Sequence, residues 1–169
     1  MLPQKKVRSI YQIDWNELGK AGIKGIITDL DNTLVGTTVP KATTELIHWL
    51  QDVKKRGLQV VIVSNNNYAR VSAFAEPLKI PFIHKAKKPI STGFRKALQT
   101  MNLRAEEAVV IGDQLLTDVL GGNRLGLYTI LVKPITLNDE KLRTRMNRRV
   151  EKWVLRKLVK KGMLQEEEL

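Results

Sequence analysis

No cysteine occurs in the 169 residues, so neither a disulfide nor a thiolate metal site can be built, and a cytosolic location is permitted. Aromatic residues make up only 5% of the chain, and no stretch interleaves them into a base-stacking platform, which counts against single-stranded nucleic acid as a ligand. No apolar run approaches the roughly 18 to 20 residues of a membrane span. The opening residues, Met1 to Asp14, hold no apolar block of signal-peptide length. Internal repeats and low-complexity linkers are also missing. The expectation is a soluble protein, cytoplasmic or peripheral on the inner membrane face.

What is present is enough apolar residue, 43%, for one domain with a proper core. Lys and Arg total 29 against 17 Asp and Glu, a net charge of +12 that calls for an anionic partner or surface. The charge is uneven. Residues 1–138 carry 19 basic and 11 acidic groups, whereas 139–165 carry 10 and 3 before Glu166, Glu167 and Glu168.

Strand-like apolar runs alternate with helical patterns. Asp14-Trp-Asn-Glu17 has the form of a capping box, predicting a short helix over 15–20. Gly25 to Thr28 reads as the first buried strand. A helix over 43–56 carries Leu46, Ile47, Leu50 and Val53 on one face and stops at Gly57. Leu58 to Val63 is the next strand, followed by a helix over 68–76. Pro81 to His84 is a short third strand, and Pro89 suits the first turn of the helix after it. Ala108 to Ile111 is the fourth strand, a helix over 115–120 stops at Gly121-Gly122, and Leu127 to Val132 is the fifth. Such alternation predicts an α/β three-layer sandwich, Rossmann-like, with a five-stranded mainly parallel sheet. Ligands of such sheets bind beyond the carboxyl ends of the strands.

Polar residues gather at four of those ends: Asp29 and Asp31, Ser64-Asn65, Lys87-Lys88-Pro89, and Gly112-Asp113 with Asp118 beyond. In extended backbone, Asp29 and Asp31 point to the same side. Two like charges so placed need a cation or a shared proton. A divalent metal beside a nucleophilic carboxylate, with its neighbour as general acid, meets both needs and makes a phosphoryl-transfer site. The plain alternative is a strand that ends in a polar Asp-Asn-Thr turn. His48 is expected to be partly packed on its helix. His84 is a strand-end histidine that could touch substrate, Lys87 a solvated neighbour of Lys88, and Trp15 and Trp49 core or interface residues.

In this order, each after its own strand, the four groups resemble the four motifs of the haloacid dehalogenase superfamily of phosphotransferases, from about Gly25 to Val132. The resemblance implies that Asp29 attacks phosphorus and that Asp31 protonates the leaving oxygen, later takes the proton of water and offers its carbonyl to the metal. It implies that Ser64 and the Asn65 amide bind phosphoryl oxygens and that Lys88 neutralises the charge on Asp29 and the phosphate. Asp113 would ligate Mg²⁺ directly, and Asp118 would bind it through water or fix the lysine. Oxygen ligands without thiols suit Mg²⁺ better than zinc.

Only 34 residues separate Asp29 from Ser64 and 23 separate Ser64 from Lys88, so neither gap holds a cap domain. A capless site implies a large substrate or a surface that closes it. The lead-in Ile23-Lys-Gly-Ile-Ile27 and the pattern His84-x-Ala-x-Lys88-Pro89 are similar to those of the YqeG-like branch of subclass III, itself similar to the mitochondrial phosphatidylglycerophosphate phosphatases.

The catalytic domain is expected over 1–137. Residues 138–169 read as a basic amphipathic helix, its stripe Leu142, Met146, Val150, Trp153 and Val154 flanked by Arg and Lys. That helix suits an anionic phospholipid surface, or it packs on the enzyme body, or it meets RNA. The function implied is a Mg²⁺-dependent phosphatase for phosphatidylglycerophosphate at a membrane. The alternatives are a soluble phosphate ester, a nucleic-acid end, or an RNA-, ribosome- or membrane-binding module with little activity. Oligomerisation is open.

Overall fold

The computed structural model describes residues 2–136. The expected basic helix of 138–169 therefore lies outside the described residues. Strands β1 (Lys5–Val7), β2 (Gly25–Thr28), β3 (Gln59–Val63), β4 (Phe82–Ile83), β5 (Ala108–Gly112) and β6 (Tyr128–Val132) form one sheet, in the order β1-β6-β5-β2-β3-β4. The α/β architecture is the expected one and every neighbouring pair is parallel, with one correction to the sheet: it has six strands rather than five. The extra strand, β1, is three residues long and begins with two lysines. Charge of that kind is a usual feature of a protected edge strand, and it hides the strand from a search for apolar runs.

Helices α1 (Trp15–Lys20), α2 (Thr44–Lys55), α3 (Tyr68–Ala75), α4 (Thr92–Met101) and α5 (Leu120–Asn123) join the strands. Alternation along β2 divides the core. Ile26 faces a cluster with Leu46, Trp49, Val53, Val71 and Phe74, and Ile27 faces one with Phe94, Ala97, Met101 and Leu127. The sheet is covered on both sides, which is why its strands read as nearly continuous apolar runs.

Local chemistry explains most helix ends. Asp14 caps α1 by accepting from the Asn16 and Glu17 amides, but Glu17 does not close the box; its carboxylate meets Lys5 and Tyr128 instead. Thr43 and Asn67 cap α2 and α3. Pro89 does not open α4, contrary to expectation. It sits in a turn closed by the Ile90 N–H on the Lys87 carbonyl, with Lys87 at φ 57, and the helix begins at Thr92.

Nor do Gly121 and Gly122 stop a helix; they lie inside α5. A Cβ on Gly121 would come 2.4 Å from a Phe94 ring carbon and one on Gly122 2.6 Å from Thr129 Cγ2, so these glycines serve close packing. On α2, Ile47 and His48 are exposed rather than packed, because Trp49 takes the inward position. The Trp49 indole N–H donates to the Ile10 carbonyl at 3.2 Å, and its ring lies 5.7 Å from that of Trp15. Trp49→Ala should therefore lower stability by about 3 kcal/mol or more. An unchanged denaturation midpoint would contradict that placement.

No helix among the described residues is long and apolar enough to cross a membrane.

Candidate active site

Parallel register carries the strand-end residues to one level. Thr28, the last residue of β2, pairs with Ile62 of β3 and Ile111 of β5, and the Asp29 N–H donates to the Ile111 carbonyl at 2.9 Å. Asp29, Ser64 and Asp113 therefore leave the three central strands side by side. From the edge, the chain after β4 brings in Lys88. It is held there by a two-way pairing in which the Lys88 N–H donates to Asn65 Oδ1 at 2.7 Å and Asn65 Nδ2 donates to the Lys88 carbonyl at 3.2 Å.

The Lys88 ammonium lies 2.6 Å from both Asp29 Oδ1 and Asp118 Oδ1, and all three side chains are buried. Asp118 comes from a π-helical turn over Leu115–Val119. Its other oxygen accepts from the Gln114 N–H at 3.2 Å and the Thr117 hydroxyl at 3.3 Å. A Cβ on Gly112 would fall 2.2 Å from Asp118 Cγ, so only glycine lets that carboxylate lie against the end of β5. Asp113 accepts from the Thr33 hydroxyl at 3.3 Å.

Carboxylate oxygens of Asp29, Asp113 and Asp118 lie within 4.8 Å of one another. Two buried acids thus share one buried lysine, with a third beside them. Burial pushes the Asp29 carboxyl up to about 8, helped by Asp118 and Asp113 and opposed by Lys88. Burial works against the Lys88 charge, but Asp118 and Asp29 outweigh it and hold its pKa above the ordinary lysine value. The donor set is hard oxygen, and its negative charge exceeds what Lys88 supplies. A divalent cation of the magnesium type fits both facts.

Asp31 takes no part in that cluster through its carboxylate. Arg70 from α3 donates to Asp31 Oδ1 from Nε at 3.1 Å and from an Nη at 2.9 Å, while Asn66 Nδ2 donates to Oδ2 at 2.9 Å. Ser64 Oγ accepts from the Asn66 N–H. The loop after β2 is further fixed through Asn32, at φ 67, whose carbonyl and side-chain oxygens receive the Ile135 and Thr136 amides. Sequence reasoning missed Arg70, Asn66, Thr33 and Asn32. Asn66 lies in the loop just before α3 and Arg70 in the first turn of that helix, but nothing in the sequence alone says that they face Asp31. His84 stacks edge-on with Tyr68, ring centres 5.3 Å apart, and Lys87 is exposed.

A parallel sheet bearing these acids and a lysine beyond the carboxyl ends of its strands defines a phosphatase of the haloacid dehalogenase superfamily. Residues 1–136 match the model of the family described as mitochondrial PGP phosphatase, and the chain belongs to that family. It is 53% identical over 167 residues to the probable phosphatase YqeG of Bacillus subtilis, covering 99% of this chain and 96% of that one. It is 27% identical over 173 residues to phosphatidylglycerophosphate phosphatase 1, chloroplastic/mitochondrial, of Arabidopsis thaliana, covering 96% of this chain but only 49% of that protein. Among solved structures, the cobalt-bound deoxy-D-mannose-octulosonate 8-phosphate phosphatase of Haemophilus influenzae shares the fold. Its TM-score is 0.52 at 16% identity, over 68% of this chain and 80% of that one.

Proposed function

We propose that the chain hydrolyses a phosphate monoester through an aspartyl phosphate on Asp29, with Mg²⁺ as cofactor and phosphatidylglycerophosphate at a membrane surface as substrate. The observation that carries the reaction type is the buried cluster of Asp29, Lys88, Asp113 and Asp118 at the strand ends. An Asp29 oxygen attacks phosphorus as the ester P–O bond breaks, and Asp31 gives its proton to the leaving oxygen. Water then attacks the same phosphorus and returns a proton to Asp31, and the acyl-phosphate bond breaks to restore Asp29.

Lys88 sits where it neutralises negative charge on Asp29 and on the transferring group. The Ser64 hydroxyl and the Asn65 main-chain N–H bind phosphoryl oxygens, since the Asn65 side chain is already paired with the Lys88 backbone. Arg70 and Asn66 position Asp31. Asp29, Asp113 and the Asp31 carbonyl would hold the ion. Asp118, already bonded to Lys88, Gln114 and Thr117, would fix the lysine and reach the ion through water. Bound there, Mg²⁺ would supply the positive charge that three carboxylates and a phosphoryl group require.

Metal binding should show without turnover. Mg²⁺ at a hundred times its dissociation constant should add about 2.7 kcal/mol of stability to the parent and much less to Asp113→Asn. Equal stabilisation of the two proteins would remove Asp113 from the site. Arg70→Gln should lower kcat on an aryl phosphate about tenfold or more with little change in KM, because it disturbs a proton-transfer group rather than phosphate binding. A change in KM alone would contradict that role.

For the substrate, the support is the family match together with the similarity to the Arabidopsis phosphatidylglycerophosphate phosphatase. The test is phosphate release from phosphatidylglycerophosphate in anionic vesicles, by the full chain and by a chain lacking residues 138–169. No release from either, with aryl phosphate turned over, would leave a soluble ester as the substrate.

A further inference from the structure

We infer that the carboxyl edge of the sheet, around the mouth of the site, is itself a docking face for an anionic lipid bilayer, apart from any contribution of residues 137–169. The inference rests on the membrane-substrate reading and specifies the surface that meets the membrane. All six strands are parallel, so the segments that follow them emerge on one edge, the edge that holds the site.

Among the described residues, every large apolar side chain that is exposed lies on those segments: Tyr11 after β1, Val39 after β2, Ile47 in the first turn of α2, Tyr68 opening α3, Ile90 after β4 and Ile135 after β6. Tyr68, Ile90 and Ile135 are each more than half exposed, at 54%, 53% and 53%. None lies on the opposite edge, where chance alone would have put some. The edge is basic as well, as is the rest of the described surface. Over residues 8–14, 36–47, 65–68, 84–91 and 133–136 the exposed charged side chains are Arg8, Lys41, Lys85, Lys87 and Lys133 against Asp14 and Glu45. Of the other exposed acids, Asp52 and Glu106 lie away from these segments, whereas Glu76 accepts from the Tyr68 hydroxyl at 3.0 Å.

Isolated exposed apolar residues are ordinary on a soluble protein, but a set confined to one edge marks an interaction face. Apolar side chains interspersed with lysines, and with few carboxylates, match the headgroup layer of an anionic bilayer. Aliphatic groups there enter the acyl boundary while ammonium groups meet phosphates. Among the described residues no cap covers the site between them, so a lipid phosphate could reach it without leaving the bilayer.

The test measures partitioning of the full chain onto sedimented vesicles of phosphatidylcholine, with and without phosphatidylglycerol. Two rim variants are compared with the parent: Ile90→Asn with Ile135→Asn, and Lys85→Asn with Lys87→Asn, asparagine being chosen for the lysines because both have positive φ. Lys20→Asn with Lys79→Asn, both exposed and off these segments, is the control. Turnover of a water-soluble aryl phosphate, expected to be unchanged in all three, reports folding and an intact site.

Each rim variant should lose about tenfold or more of its partitioning onto the anionic vesicles, with the control unchanged. Turnover of phosphatidylglycerophosphate in vesicles should fall with it, and turnover of the same lipid in detergent micelles should not. Rim variants that partition like the parent, or a parent that binds neutral and anionic vesicles equally, would overturn the inference. So would rim variants that lose RNA binding while keeping vesicle binding. If the parent does not hydrolyse the lipid in micelles but partitioning still depends on the rim, the docking face stands and the substrate reading falls.

Discussion

Asp29→Asn protein is expected to hydrolyse an aryl phosphate at least about 10³-fold more slowly than its parent, while unfolding at the same temperature or a higher one. The two readouts separate chemistry from folding. Asp29 is the carboxylate that stands directly after the central strand, anchored through its own N–H to the Ile111 carbonyl. An amide there keeps an oxygen for Lys88 but cannot displace an ester oxygen from phosphorus. It also removes one of three buried acids that crowd one another, only two of them paired with Lys88, so the metal-free fold should lose nothing. Retention of parental turnover would contradict the nucleophile assignment. A large loss of stability together with the loss of turnover would mean that the substitution reports folding instead.

Lys88→Met has the opposite signature: both activity and stability fall. Removing a positive group aimed at developing negative charge should cost about 10² to 10³ in kcat. Because the same ammonium lies between Asp29 and Asp118, its loss leaves buried carboxylates without a counter-charge, a change that typically destabilises by about 3 to 5 kcal/mol. The pH dependence has a definite sign. Asp29 is already pushed up to about 8 by burial first and by its acidic neighbours. Without Lys88, the folded protein holds that proton still more tightly, so it binds more protons than the unfolded chain, whose aspartates titrate near 3.9. Stability of the variant should therefore be best preserved below about pH 4 and decline as pH rises through and beyond neutrality. Thermal unfolding across that range, with EDTA present, checks it. A deficit that grows towards acid pH would contradict the picture of uncompensated carboxylates.

Much of this arrangement could be read along the chain because its parts are local. Each strand is a short apolar run, and each is followed at once by the residues it delivers. Parallel topology then brings Asp29, Lys88, Asp113 and Asp118 to one edge of the sheet. Features that depend on contacts through space were not legible. Arg70 and Asn66 are ordinary polar residues until α3 and the loop before it turn them onto Asp31. The π-helical turn that directs Asp118 to Lys88 leaves no mark in hydrophobic periodicity. β1 went unseen because its lysines suit an edge rather than a core. Glycine was misread for a related reason. Gly121 and Gly122 look like punctuation in the sequence, and only packing against Phe94 and Thr129 reveals them as sites of close approach.

The edge lined by Ile90, Ile135, Lys85 and Lys87 has the same origin. These residues come from loops far apart in sequence, each unremarkable alone, and only the all-parallel sheet gathers them around the site.

The most direct measurement is chemical trapping of the intermediate: acid quench during turnover of a phosphate monoester, borohydride reduction, and peptide mass spectrometry. An acyl phosphate on Asp29 would be reduced to homoserine at that position, in the parent and not in Asp29→Asn. Reduction at a different carboxylate, or a phosphoryl group recovered on another side chain, would contradict the account.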